Sequence, residues 1–176
     1  MSEEQLNKNN DNSEQQVVRC QRCGRLSAAA PISIDESTKK EYFRCLLGQR
    51  PFSKTVKMFS GAVEVTFEEP SAAVQRRLES YTGTSQAVMD DMNLIGSIKE
   101  LIHVDTDTGN STVIYSATVE DRLASLADPA SAIDKIGLSS VELTALRRVC
   151  GVFYVLLGTL AGSVLTDDFF AGVGLS

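Results

Sequence analysis

Tryptophan is absent from this chain of 176 residues, and aromatic residues make up only 6% of it. A surface that binds bases by aromatic stacking is therefore not expected. Positive charge is also scarce, since 17 lysines and arginines face 23 aspartates and glutamates, for a net charge of −6. Because nucleic-acid phosphates attract positive surfaces, this balance argues against a nucleic-acid-binding domain.

Sequence motifs that carry catalysis are missing as well. The chain contains a single histidine, His103, so a Cys-His nucleophilic pair would have to recruit that residue. It has no glycine-rich loop of the phosphate-binding kind and no GxSxG turn. The sequence therefore predicts a protein that is not an enzyme.

The N-terminal stretch MSEEQLNKNNDNSEQQ has no apolar run of the kind found in a secretory signal. Its polarity predicts a disordered arm over residues 1–16, followed by a single domain over residues 17–176. Four cysteines are too few for a disulfide framework in a chain of this length. We therefore expect free thiols in a reducing cytoplasm, or metal ligands.

The segment VVRCQRCGRL holds Cys20 and Cys23 at the spacing of half a zinc site. A structural zinc ion needs four ligands, which two such pairs usually supply. The other cysteines, Cys45 and Cys150, lie far apart in apolar segments and form no second pair. Two hypotheses stay open: a zinc site completed by Cys45 or His103, or a surface turn that keeps only part of such a site.

The apolar periodicity predicts an α+β domain that is mostly helical and contains one small β-hairpin. Val63, Val65 and Phe67 alternate with polar residues, as in a half-buried strand. A Ser-Gly pair at 60–61 suits a two-residue turn, so the hairpin is placed near residues 53–68. The segment TVIYSA predicts a further short strand.

Helix start signals divide the rest of the chain into six predicted helices. Their expected starts are Asp35, Pro70, Ser85, Thr118, Asp128 and Ser139. The apolar face of the first helix is expected to comprise Tyr42, Phe43, Leu46 and Leu47. The helix after Ser85 is expected to present Val88, Met92, Ile95, Ile98 and Ile102 on one side.

The last predicted helix contains the uncharged run VCGVFYVLLGTLAGSVLT, residues 149–166. Its helical spacing predicts a central packing stripe of the fold, or of a partner interface. The stripe comprises Phe153, Leu156, Leu157 and Leu160. A run of 18 residues containing GxxxG is also at the lower limit of a membrane span. A membrane-associated helper anchored by this helix is therefore an alternative to the favoured buried helix of a soluble domain.

Two stretches of the chain resemble small tail-assembly and baseplate-hub proteins of contractile-tailed bacteriophages. In EYFRCLLGQRPFSKTVKMFSGAVEVTFEEPS, a helix leads to a PFSKT-like turn, a strand, a glycine turn and a VTF-like strand. LRRVCGVFYVLLGTLAGSVL, followed by DDFF, is similar to the C-terminal part of those proteins, with phenylalanine here in place of tryptophan after the acidic residues. The resemblance extends from about Cys20 to Phe170.

The resemblance implies a structural or assembly protein of the phage tail or baseplate hub, without catalytic activity. Its partners would be other tail or baseplate proteins, met in the host cytoplasm during assembly or in the tail of the virion. A small zinc-knuckle binding module, directed to nucleic acid by the arginines around Cys20 and Cys23, is the alternative of a different class.

Overall fold

The structure is a computed structural model that describes residues 34–164 except Thr82 and Thr106, together with two short strands nearer the N-terminus. The predicted disordered arm and the segment that contains Cys20 and Cys23 lie outside the described residues.

The chain divides into two units, Met1–Ser33 and Ile34–Ser176. In the first unit, strand β1 (Val18–Arg19) pairs antiparallel with strand β2 (Leu26–Ser27). The described part of the second unit contains six helices, four strands and one short 3₁₀ turn. In chain order the helices and strands are α1 (Glu36–Leu47), β3 (Ser53–Met58), β4 (Val63–Glu68), α2 (Ala72–Glu79), α3 (Gln86–Ser97), β5 (Ile98–Val104), β6 (Ser111–Ser116), α4 (Val119–Ser125), α5 (Pro129–Ile136) and α6 (Ser140–Val164).

The four strands of the second unit form one antiparallel sheet in the order β3-β4-β5-β6. Val63, Val65 and Phe67 on β4 are buried, so the predicted alternation is confirmed. The chain is therefore an α+β domain, mostly helical in its described part. The predicted hairpin is present as β3 and β4, but the expectation of a single small hairpin is wrong because β5 and β6 extend it into a larger sheet.

The turn between β3 and β4 is longer than the two residues that the Ser-Gly pair predicts. Met58 pairs with Val63, and the residues between them include a 3₁₀ turn at Phe59–Gly61. Phe59 and Ser60 have positive φ angles of 50° and 58°. A two-residue turn would require Phe59 to pair with Ala62, and the left-handed backbone at Phe59 ends the ladder one pair earlier.

The helix predicted from Ser85 to about Ile102 is wrong in its second half. α3 ends at Ser97, and Ile98 begins β5 with extended backbone. The spacing of Ile95, Ile98 and Ile102 fits the helical period, which is why the sequence predicted a helix. In β5 the residues Ile98 and Leu101 are both buried although they are three positions apart, because the register with β4 shifts between Thr66 and Phe67. Pairing with β4 and β6 satisfies the backbone of this segment as a strand.

Most of the predicted helix starts are confirmed. The side chains of Asp35, Ser85, Thr118 and Asp128 each accept a hydrogen bond from the backbone N–H three residues later. The start at Pro70 is wrong, because α2 begins at Ala72 and is capped by the Ser71 hydroxyl.

The predicted apolar face of α1 also needs correction. Tyr42 is buried as expected, but Leu46 and Leu47 are 42% and 70% exposed. The buried positions of α1 are Thr38, Tyr42 and Cys45, which have the i, i+4, i+7 spacing of one helix face. The prediction assigned Leu46 and Leu47 to the face of Tyr42, but the buried face continues from Tyr42 to Cys45.

Two clusters of buried side chains stabilise the second unit. The larger lies between the sheet and α6 and includes Phe52, Val65, Phe67, Ile98, Leu101, Leu146, Phe153 and Leu160. The smaller lies among α2, α3, α4 and α5 and includes Val74, Leu78, Met92, Ile95, Leu126 and Ala132. Gly96 allows close packing within it, because a methyl group added there would lie 3.1 Å from Leu78 Cδ1.

Candidate functional site

Helix α6 is the longest described element, and its start follows the predicted capping box. Glu142 Oε2 accepts hydrogen bonds from Ser139 N at 2.9 Å and from Ser139 Oγ at 2.6 Å. Ser139 Oγ in turn accepts from Glu142 N at 3.4 Å. These bonds satisfy backbone N–H groups that the first turn leaves without a helical partner, so the boundary is fixed by local chemistry.

One side of α6, here called the inner face, packs into the larger core. It comprises Leu146, Cys150, Phe153 and Leu160, all of them at most 3% exposed. The Phe153 ring stacks on that of Phe67 with centroids 5.5 Å apart, and on that of Phe52 at 6.5 Å. An ion pair of 2.6 Å between Arg147 Nε and Asp91 Oδ1 joins α6 to α3.

The predicted stripe of four apolar residues on α6 lies mainly against the chain's own core. Phe153 and Leu160 are buried, while Leu156 and Leu157 are partly buried and pack on the same cluster. The packing role of the stripe therefore has a direct structural basis. A role of these four residues in a partner interface stays a prediction.

The opposite side of α6, here called the outer face, is also apolar but is exposed. It comprises Gly151, Val152, Val155, Gly158 and Gly162, together with the exposed Thr159, and Arg148 lies one turn before Val152 on the same side. Val152 and Val155 are 51% and 57% exposed. A methyl group built at any of the three glycines meets no described atom within 4 Å outside the nearby helix backbone. This exposed face could not be predicted from the sequence. Residues 149–166 lack the charged stripe that normally marks the solvent side of a helix.

By length and composition, α6 is long and apolar enough to cross a membrane. Only 22% of its most apolar stretch of 18 residues is buried within the protein. The core helix of a soluble protein meets the same criteria, but most of such a helix is buried. The inner face of this stretch packs into the larger core, so its exposed residues include those of the outer face.

The thiols and the histidine that were considered as further zinc ligands occupy different environments. Cys45 is buried in the larger core, and Cys150 Sγ lies 3.3 Å from Ser97 Oγ. Burial raises the pKa of the Cys150 thiol to about 11, which disfavours the thiolate that binds metal. His103 is exposed on β5. Among the described residues, no three His, Cys, Asp or Glu side chains are grouped to hold a metal ion.

Sequence reasoning missed a buried cluster of charges centred on Glu68. Arg122 is only 1% exposed, and its Nη2 donates to Glu68 Oε1 at 2.5 Å. Its Nε and Nη1 donate to the carbonyl oxygens of Thr118 and Gly96. Lys99 Nζ donates to Glu68 Oε2 at 2.7 Å. Glu68 and Arg122 are 54 positions apart, and the only sequence signal is a charged residue at the end of an apolar strand.

The charge of Glu68 is maintained by its two partners. Burial raises the pKa of the Glu68 carboxyl, but hydrogen bonds and attraction from Lys99 and Arg122 outweigh it, so the pKa lies below its ordinary value. The carboxylate connects β4 to β5 and α4. Removal of either Glu68 or Arg122 would leave a buried charge without its main partner.

A cleft of about 500 Å³ opens beside this charge cluster, lined also by Thr66, Glu100 and Glu120. Both oxygens of Glu68 are already engaged by cations. No buried side-chain nitrogen or oxygen of the described residues lacks a hydrogen-bond partner. The buried polar groups beside the cleft are thus all paired, and the charge cluster is explained by its structural connections. The outer face of α6 is the better candidate.

Comparison with known protein families, with curated proteins and with solved structures gave no match for this chain.

Proposed function

We propose that this chain is a non-enzymatic structural or assembly protein that docks on a protein partner through the outer face of α6. The observation that carries the proposal is the exposure of Val152 and Val155. Each is more than half exposed, on a helix whose other side packs into the core. A contiguous apolar patch on a folded domain is typical of an interaction site. The proposal covers the mode of action and is independent of the identity of the partner.

The glycines of the outer face define the kind of contact. Gly151, Val155, Gly158 and Gly162 have the spacing i, i+4, i+7 and i+11, so they lie along one line of the helix. Residues without large side chains permit a close approach of the partner's backbone. A helix or a flat apolar surface of a partner protein fits this face, and Val152 and Val155 would provide the apolar area that is removed from water.

The class of partner comes from the resemblance to phage tail-assembly and baseplate-hub proteins. On this proposal the partners are other tail or baseplate proteins, bound in the host cytoplasm during assembly or retained in the virion tail. The net charge of −6 and the lack of tryptophan support a protein partner rather than nucleic acid.

The test begins with the genes beside the one that encodes this chain. Genes for tail sheath, tape measure or baseplate wedge would supply the candidate partners, and their products would be purified and titrated against the full chain. Val155→Arg should weaken binding strongly, because it places a charge in the apolar contact. Val141→Arg is the matched control, since Val141 is 73% exposed on the same helix but lies near its start. Equal binding by the two variants would contradict the proposal.

Membrane association through residues 149–166 is the second candidate function. It is supported by the length and hydropathy of α6. It is weakened by the inner face, because spanning a bilayer would remove Phe153 and Leu160 from the core that they fill. Fractionation of expressed protein separates the two functions. Recovery mainly in the membrane, resistant to salt washing, would replace the docking proposal by this one.

A zinc-knuckle module is the remaining alternative. The pairing of β1 with β2 supports it, because the two strands flank the segment with Cys20 and Cys23 in sequence. If zinc is bound there, elemental analysis should find metal in the purified protein and a loss of metal in Cys23→Ser. Cys150→Ser is the matched control, since its thiol is buried in the core. A metal content that Cys23→Ser leaves unchanged would exclude this site.

A further inference from the structure

A groove of about 380 Å³ lies beside α6, at the edge of the outer face. Leu157, Gly158 and Ala161 of α6 line it, and Gly158 also belongs to the outer face, so the two surfaces are continuous. Tyr42 of α1 and Glu69, between β4 and α2, contribute polar groups to the groove. No lysine or arginine is among its lining residues, so the charge of the groove itself is negative.

Glu69 provides the groove with a carboxylate that the chain does not pair with a cation. Its Oε2 accepts a hydrogen bond from Phe52 N at 3.3 Å. No lysine or arginine of the described residues forms an ion pair with it. The preceding residue, Glu68, is held by both Lys99 and Arg122. Of these two consecutive glutamates, Glu68 therefore uses its charge within the fold, whereas Glu69 keeps its charge at the groove.

The hydroxyl of Tyr42 is a second polar group of the groove that has no partner among the described residues. Tyr42 is only 4% exposed, and its ring packs edge-on against Phe52 with centroids 5.5 Å apart. In the described part of the chain every fully buried side-chain nitrogen or oxygen has a hydrogen-bond partner, so an unpaired hydroxyl there must be open to solvent. Burial raises the pKa of Tyr42, and the negative charge of Glu69 raises it further, which places the phenol oxygen near that carboxylate.

We infer that this groove takes a basic side chain, a lysine or an arginine, of the protein partner that docks on the outer face. The inference rests on the proposed function, because the groove and the outer face meet at Gly158. The cationic end would lie at Glu69 and at the Tyr42 hydroxyl, both of which accept hydrogen bonds. The aliphatic stem would lie along Leu157 and Ala161, since long basic side chains cover apolar surface while their charged end stays with polar groups.

Charge and size both favour a basic side chain over other occupants. The net charge of −6 attracts a basic partner at long range, and Glu69 gives the groove the same sign. An acidic side chain would be repelled by Glu69, and a purely apolar one would leave the carboxylate and the Tyr42 hydroxyl unpaired on docking. A volume of about 380 Å³ accommodates one long side chain.

NMR titration of the isotope-labelled full chain with a small arginine probe tests the inference without the partner. N-acetyl-arginine amide should bind with a dissociation constant on the order of millimolar and shift the backbone amide signals of the groove residues. N-acetyl-citrulline amide has nearly the same shape without the charge, and it should bind at least about tenfold more weakly. Equal binding of the two probes, binding outside the groove, or no binding of the arginine probe would overturn the inference.

Substitutions in the groove identify the groups that hold the probe. Glu69→Gln should weaken the arginine probe about tenfold, and its amide oxygen can still accept the hydrogen bond from Phe52 N. Glu41→Gln is the matched control, because Glu41 is an exposed carboxylate of α1 that does not line the groove. Tyr42→Phe keeps the ring and should weaken the probe about threefold without lowering the melting temperature, since the hydroxyl has no hydrogen bond to lose among the described residues. Binding that Glu69→Gln leaves unchanged would overturn the inference.

Titration of the partner protein separates this inference from the proposed function. Glu69→Gln should raise the dissociation constant for the partner by about tenfold, and Glu41→Gln should leave it unchanged. Loss of binding in Val155→Arg with no change in Glu69→Gln would overturn the inference alone, whereas an unchanged affinity in Val155→Arg would contradict the proposed function.

Discussion

The inner and outer faces of α6 are built from similar apolar residues but have opposite surroundings. Phe153 and Leu160 on the inner face are 3% and 0% exposed, whereas Val152 and Val155 on the outer face are more than half exposed. The inner face is covered by the sheet, α1 and α3. Phe153 stacks on Phe67 of β4 and on Phe52. Tyr42 and Cys45 of α1 belong to the same cluster, and Cys150 contacts Ser97 of α3. The outer face has no such cover among the described residues.

The apolar residues of the two faces therefore have different roles. On the inner face, burial stabilises the fold of the chain itself. On the outer face the same kind of surface contributes nothing to the stability of the isolated chain, so its apolar composition requires another explanation. Docking of a partner provides one, because it would give these residues the burial that the fold does not.

The largest expected effect comes from the inner face. Phe153→Ala should lower the free energy of unfolding by about 3 to 5 kcal/mol, because it removes a stacked ring and leaves a cavity between α6 and the sheet. Its neighbour Val152→Ala should change the same quantity by less than about 0.5 kcal/mol, since Val152 is exposed. Urea denaturation measures both. Similar losses in the two variants would show that the faces do not differ as described.

Leu157→Ala tests the boundary between the faces. A fully buried leucine would lose about 2 to 5 kcal/mol on this change, but Leu157 is only partly buried against the core. We therefore expect a smaller loss, about 1 to 2 kcal/mol, on the basis of the apolar area that it covers. Leu160→Ala, at a position with 0% exposure, provides the comparison and should reach the full range. If Leu157→Ala lowered the free energy of unfolding as much as Leu160→Ala, Leu157 would belong to the inner face.

The start of α6 could be predicted from sequence because its determinants are local. The reciprocal hydrogen bonds of Ser139 and Glu142 involve residues only three positions apart, and so do the caps at Asp35 and Ser85. The alternation in β4 could also be predicted, since Val63, Val65 and Phe67 on one side are buried while Glu64 and Thr66 on the other are only partly buried. In each case a short window of residues contained the physical cause.

The sequence indicated the packing stripe of α6 but not the exposure of the opposite face, because residues 149–166 carry no charge on either side of the helix. Which side meets the sheet depends on where β4 and β5 place Phe67 and Ile98, residues distant along the chain. The same limit explains the error at β5, whose strand state depends on pairing with β4 and β6. The Glu68–Arg122 pair was missed for this reason too, since two charges 54 positions apart share no local pattern.

Cys150 on the inner face should make the free energy of unfolding depend on pH. Burial raises the pKa of its thiol from 9.0 to about 11. The folded state thus keeps a proton that the unfolded state has lost above pH 9, so stability is fully present below that pH and falls as the pH rises towards 11. Cys150→Ala should flatten the slope of unfolding free energy between pH 9 and 10. An unchanged slope would show that the thiol is not buried as described.

The smallest expected effect on stability comes from charging the outer face. Val155→Arg should change the free energy of unfolding by no more than about 0.5 kcal/mol, because a side chain that is 57% exposed can place a guanidinium in water. Leu160→Arg, at a position with 0% exposure, should by contrast unfold the chain or weaken it severely, since it would bury a charge without a partner. Thermal melts and urea titrations of the two variants measure the difference directly. If Val155→Arg destabilised the isolated chain as strongly as Leu160→Arg, the outer face would be covered within the chain itself and would not be free to dock a partner. A stable Val155→Arg that loses partner binding would establish that the apolar surface of this face serves association rather than folding.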